Sequence, residues 1–151
     1  MRRELEDSGT SAVLVTHQLE EAQAFAQRLA VLHRGEILQV GQPRELVLQP
    51  ASREVAELVG YRGWLSSGSE TLALHPDRVY PVGSEDEGEI SARVVRILPQ
   101  GARLELELEA EGRWRGRFRC RSDGPAAVGE LMWFTAPDAP TFPASETAVT
   151  A

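Results

Sequence analysis

The stretch Thr16-His17-Gln18-Leu19-Glu20-Glu21-Ala22 follows an apolar run at residues 12–15. His17 therefore stands where an expected buried strand hands over to an acidic amphipathic helix. In open α/β sheets, ligands bind beyond the carboxyl ends of the strands. An imidazole N–H at that point can donate a hydrogen bond to a phosphate oxygen. On these residues alone, a histidine at the start of a helix with no ligand is the favoured reading. A second candidate is Ser91 with Arg93 and Arg96 on a later expected strand. Hydroxyl, guanidinium and backbone amides at a strand end can hold a small oxyanion. The same residues also suit a solvated strand face. Three scattered histidines and the lone Cys120 lack the spacing of a zinc site.

Some chemistry is excluded outright. A phosphate-cradling P-loop needs Gly-x-x-x-x-Gly-Lys-Ser/Thr, and all 16 basic residues here are arginine. No aspartate ends an apolar strand: Asp7 precedes any strand, and the next is Asp77. Leu65-Ser-Ser-Gly-Ser-Glu70 reads as a Ser/Gly turn. The net charge of −7 argues against a nucleic-acid or anionic-membrane partner. One cysteine permits no internal disulfide and fits a reducing cytoplasm. No run approaches the roughly 18 apolar residues of a membrane span.

The elements that position these residues change character at Gly60. Before it, residues 2–7 read as the end of a helix stopped by Ser8-Gly9, and residues 12–15 as a parallel strand buried on both faces. Leu19, Ala22, Phe25, Ala26 and Leu29 form a helical stripe over 18–29, with Glu20 and Glu21 in the first turn. Residues 29–41 predict a hairpin turning at His33-Arg34-Gly35. Pro43 opens a helix that ends before Pro50, and Ser52 caps another that stops at Gly60. After it come short strands, at 71–74, 90–98, 102–109, 113–120 and 130–135, with an acidic solvated loop at 83–89. Such spacing suggests a small barrel. The Pro-, Thr- and Ala-rich end is expected to fray.

One register can be predicted in detail. Charged residues hold every odd position from 103 to 121, while Leu104, Leu106, Leu108, Trp114, Phe118 and Cys120 hold even ones. A three-residue loop at 110–112, with Gly112 left-handed, would pair Glu109 with Arg113, Glu107 with Arg115 and Glu105 with Arg117. Leu108 would then face Trp114 and Leu104 would face Phe118. That pairing neutralises part of an arginine strip that alone resembles a nucleic-acid platform.

Beyond these readings, residues 12–60 resemble the C-terminal part of an ATPase subunit of importer-type ABC transporters. Leu-Val-Thr-His-Gln-Leu-Glu-Glu-Ala is similar to the family's switch (H-loop) segment, although Gln18 replaces the usual aspartate. The helix, the hairpin with Gly35, and Gly41-Gln42-Pro43 before the next helix follow in the family's order. Residues 61–136 resemble the accessory TOBE β-barrel. His75-Pro-Asp-Arg-Val79 matches its Arg-Pro-Glu-like segment, with histidine for arginine, and an asparagine common at the barrel entry is missing near Gly63 and Trp64.

The resemblance implies an α+β chain: a partial α/β ATPase-domain remnant at 1–60, an antiparallel OB-like barrel at 61–136 and a flexible tail at 137–151. It implies ATP and Mg as cofactors of the full-length protein, with His17 as the switch histidine contacting the γ-phosphate. Glu20 and Glu21 lie beyond it and are not the catalytic acid. The implied partners are membrane-spanning permease subunits and a second ATPase subunit, at the cytoplasmic face of the membrane. Without both Walker motifs and the signature motif, this chain alone is expected neither to bind nor to hydrolyse ATP. An unpaired apolar strand at 12–15 predicts self-association, or disorder over 1–16. The alternative is an autonomous oxyanion-binding or dimerisation module.

Overall fold

The computed structural model describes residues 11–144. The expected helix at 2–7 lies outside them. Among them, α1 (Leu19–Phe25) leads into a hairpin of β1 (Leu29–His33) and β2 (Glu36–Gly41), then α2 (Pro43–Leu48) and α3 (Arg53–Leu58). The strands β3 (Gly63–Ser67), β4 (Glu70–Leu74), β5 (Tyr80–Val82), β6 (Ile90–Gln100), β7 (Arg103–Glu111), β8 (Gly116–Ser122), β9 (Leu131–Thr135) and β10 (Thr141–Pro143) follow. All pairings are antiparallel, in sheets of order β10-β4-β3 and β5-β9-β6-β7-β8. The curled five-stranded sheet and few helices make the chain α+β with a small barrel, as expected.

Residues 12–15 are a correction. They form no strand, and Val13 and Val15 are 94% and 89% exposed. A strand of that kind needs neighbours on both edges to take its N–H and C=O groups, and no described strand lies beside it. The helix predicted over 18–29 is also shorter. It stops at Phe25 because Ala26 turns extended, and Leu29 belongs to β1. Local signals held better elsewhere. Arg34 and Gly35 both take positive φ, 49° and 85°, as a two-residue hairpin turn requires. Gln42 and Glu45 close a capping box around Pro43, and the Ser52 hydroxyl accepts from the Val55 N–H at 3.3 Å.

The long hairpin keeps its predicted faces and loses its predicted register. Leu108 pairs with Phe118, Leu106 with Cys120, and Glu109 and Glu107 with Arg117 and Arg119. The loop is longer than three residues because Arg115 leaves the hairpin and bridges to Ser66 of β3, with backbone bonds of 2.8 and 2.9 Å. Gly116 makes that approach feasible: its φ is 138°, and a Cβ there would run into the Trp64 carbonyl. Shifting the register by an even number leaves each side chain on its original face. The acidic and basic residues still neutralise each other across the strands, now through Arg117–Glu109 and Arg119–Glu105.

Two apolar clusters result. Leu65, Leu74, Ile90, Val94, Leu106, Leu108, Phe118 and Phe134 fill the barrel. Leu46, Val55, Ala56, Val59, Tyr61, Ala73 and Phe142 form a second cluster, which joins α2 and α3 to the barrel wall. Phe142 corrects the expected flexible tail over its described part. Residues 141–143 pair with β4, and the Pro140 carbonyl accepts from the Ala73 N–H at 2.9 Å. The tail is held because an aromatic side chain finds an apolar seat, which composition alone does not reveal. Phe142→Ala is therefore expected to cost about 3 kcal/mol of stability. Urea unfolding checks this; an unchanged midpoint would mean that β10 contributes nothing.

Candidate functional site

Thr16 turns the chain at His17. Its hydroxyl donates to Glu21 Oε2 at 2.7 Å and accepts from the Gln18 N–H at 3.1 Å. His17 is exposed, just before α1, and α1 itself has no buried residue. The histidine is thus presented outward, while Leu19 two residues on packs against the second apolar cluster.

The other candidates lie on β6. Val95 is the extra residue of a β-bulge, since Val94 faces Leu108 and Arg96 faces Glu107. The bulge puts Arg96 on the same outer face as Arg93 and Ser91, where strict alternation would place it on the opposite one. The face is not an open anion site, however. Ser91 Oγ donates to the Glu111 carbonyl at 2.8 Å. Arg93 grips the Glu111 carboxylate through Nε and Nη2 at 2.8 and 3.2 Å, and gives Nη1 to the Gly129 carbonyl at 2.8 Å. That bond and the charge of Glu111 push the guanidinium further above its ordinary range. Glu107 and Glu109 add negative charge along β7. The Ser91 hydroxyl and the Arg93 guanidinium are already given to the protein's own acceptors.

Cys120 is buried in the barrel cluster, and burial, helped by Glu105, pushes its thiol up to about 12. It is not a nucleophile at neutral pH. Among the described residues no three His, Cys, Asp or Glu side chains group as a metal site.

Sequence reasoning missed one built polar site, at the seam between α3 and the barrel. His75 caps the 3-10 turn Pro76–Arg78, its Nδ1 accepting from the Asp77 N–H at 3.2 Å. Its ring meets Tyr61 edge-on, with centroids 5.3 Å apart and planes at 87°. Tyr61 in turn donates its hydroxyl to the Val47 carbonyl at 2.7 Å. The available signal was a residue before proline, which is driven extended and is thereby suited to capping. Nearby, the Arg53 guanidinium lies 4.3 Å from the Trp64 ring centre, a second contact across the same seam.

No family profile matches the chain. Over 109 residues, 71% of its length, it is 38% identical to the sulfate/thiosulfate import ATP-binding protein CysA of Pseudomonas putida, of which 33% is covered. It is 33% identical over 117 residues to the putrescine transport ATP-binding protein PotG of Escherichia coli, covering 72% of this chain and 31% of that protein. It is 32% identical over 119 residues to the molybdate/tungstate import ATP-binding protein WtpC of Thermococcus kodakarensis, covering 79% of this chain and 29% of that protein. The homologues of this chain are ATP-binding subunits of ABC importers. The chain spans about a third of the length of these relatives. Their names carry different solutes at similar identity, so the likeness tracks the ABC-importer subunit and not one cargo.

The pairing of Arg93 with Glu111 makes two expectations. Molybdate, tungstate and sulfate should leave the Arg93 Nε–H resonance of the native chain in place, and should shift it in Glu111→Gln. A native-protein shift that saturates at micromolar ligand would show the face to be an oxyanion site as it stands. Cys120 should resist a disulfide reagent in the native protein at pH 8 and react with one equivalent in denaturant; rapid native reaction would contradict its burial.

Proposed function

We propose that this chain is the C-terminal portion of the ATP-binding subunit of an ABC importer, carrying the switch histidine and an accessory barrel. The apolar surface left bare on both sides of His17 in the chain carries the reading. Val13 and Val15 are almost fully exposed, and Leu32, Ile37 and Val40 of the β1–β2 hairpin are 61%, 62% and 48% exposed. Leu32 pairs with Ile37 and Ala30 with Val40, so the hairpin's bare residues share one face. The other face, with Leu29, Val31 and Leu38, packs on the second cluster. Bare apolar strand faces of this kind mark an interface. The two thirds of the homologous subunits that this chain does not match would supply its cover.

The residues present do not fit ATP or Mg by themselves. The chain has no lysine, and His17 offers at most one hydrogen bond to a phosphate. In the complete subunit, His17 is the residue presented to the γ-phosphate. The subunit would work at the cytoplasmic face of the membrane with a second ATP-binding subunit and membrane-spanning permeases. No helix among the described residues is long and apolar enough to cross a membrane.

The purified chain should show no ATP binding by calorimetry, with or without Mg. Micromolar, Mg-dependent binding would sink the proposal that the nucleotide site lies elsewhere. Joined to the first two thirds of the Pseudomonas putida relative, the chain should complete an ATPase. His17→Ala in that chimera should lower kcat by about 10²–10³, the usual effect of removing one transition-state hydrogen-bond donor. A chimera that hydrolyses ATP equally well with alanine at 17 would remove the histidine's assignment.

A further inference from the structure

We propose that His75 is an acid-sensitive latch between α3 and the barrel, closed when the imidazole is neutral and opened when it takes a second proton. The inference is independent of the ATPase reading, because it rests on contacts inside the described chain.

One ring nitrogen is committed. Nδ1 accepts from the Asp77 N–H, so it carries a lone pair in the closed state. The Val59 backbone, at the C-terminal cap of α3, lies near the ring and favours its protonated form. In the neutral ring the other nitrogen, Nε2, carries the proton, because Nδ1 is already an acceptor. The neutral Nε2–H tautomer is thus the one that keeps the turn after β4 capped while the ring packs against the end of α3. Gly60, with φ at 104°, leaves the space: a Cβ there would stand 2.8 Å from Nε2. Tyr61 closes the other side of the ring, edge-on.

A second proton must go to Nδ1, directly facing the Asp77 N–H. Two donors then oppose each other, and the cap of the 3-10 turn is lost. The charged groups facing the ring do not compensate. Asp77 favours the cation, but its carboxylate is already paired with Arg121 of β8. Arg78 and Arg121 disfavour it, and the partly buried setting disfavours it most. Burial therefore pushes the imidazole below its ordinary range, opposed by Asp77 and the nearby Val59 backbone and assisted by the two arginines.

The sign follows from linkage. A base with a lowered native pKa is protonated more readily in the unfolded chain. Its stabilising contribution is complete above the ordinary imidazole value of about 6.5, and is lost as pH falls below it through the native value. What opens first is local: the junction of Val59, Gly60 and Tyr61 with the 3-10 turn.

NMR on the full chain tests this directly. Long-range ¹H–¹⁵N spectra at pH 7.5 should show His75 as the Nε2–H tautomer. On acidification its ring should titrate with a midpoint below about 6.5. The amides of Val59, Gly60, Tyr61 and Asp77 should move with that same midpoint. His75→Asn keeps an acceptor for the Asp77 N–H but cannot be protonated, and should abolish the shared transition. The Nδ1–H tautomer, a midpoint at or above the ordinary value, or a titrating ring with unmoved amides at 59–61 would each overturn the latch. So would persistence of the transition in His75→Asn. The first three readouts need only the native protein, so the proposal does not depend on any variant folding.

Discussion

Tyr61 is buried to 2% exposure with its hydroxyl on the Val47 carbonyl, and the two halves of the structure meet on that placement. A buried phenol without a partner would cost on the order of 1–3 kcal/mol. Here the partner comes from the end region of α2, so the hydrogen bond fixes the helical part and the apolar ring fixes the barrel wall. Val55, Ala56 and Val59 then cover one side of the ring's neighbourhood, and Ala73 and Phe142 the other. Trp64 lies against Phe142 with ring centres 6.2 Å apart, and Arg53 reaches over Trp64 from α3. The second apolar cluster thus crosses the point at which the sequence changes from helical to strand character.

The same structure is complete on one side of this seam and incomplete on the other. The barrel closes on its own contents, with Phe118 and Phe134 edge-on at 5.5 Å and the β3–β8 bridge drawing the two sheets together. The segment before β1 is only partly covered among the described residues. Residues 12–15 have no edge partners, and α1 rests on the second cluster through Leu19 without burying any residue fully. The ATP-binding subunits similar to this chain are matched over about a third of their length. The barrel carries its own core, whereas the histidine segment leaves Val13 and Val15 bare.

Much was legible from local chemistry. The Arg34-Gly35 turn, the capping of α2 and α3, and the alternation along β7 and β8 depend on residues close in sequence. The misses share a cause. The β7–β8 register was displaced by Arg115 reaching β3, some fifty residues earlier in the chain. The tail was ordered by Phe142 finding the cluster around Tyr61. Arg96 joined Arg93 on one face through a bulge at Val95. The strand at 12–15 failed for want of neighbours. In the candidate sites, residue types identified the histidine and the β6 arginines, but not that Glu111 already holds Arg93. Nor did they point to His75, which looked like one position of a turn.

By itself, the sequence determined the class of structure, the order of elements, which face of each strand is apolar, and that no phosphate loop can form in a chain without lysine. Periodicity, capping and turn residues act over a few positions, and an absent side chain is absent in any fold. Only the tertiary structure decided the registers, the pairing of Arg93 with Glu111, and the setting of His75 between Val59, Tyr61 and Asp77. Those depend on which distant groups arrive within hydrogen-bond or van der Waals reach, and that is set by how the two clusters pack around Tyr61.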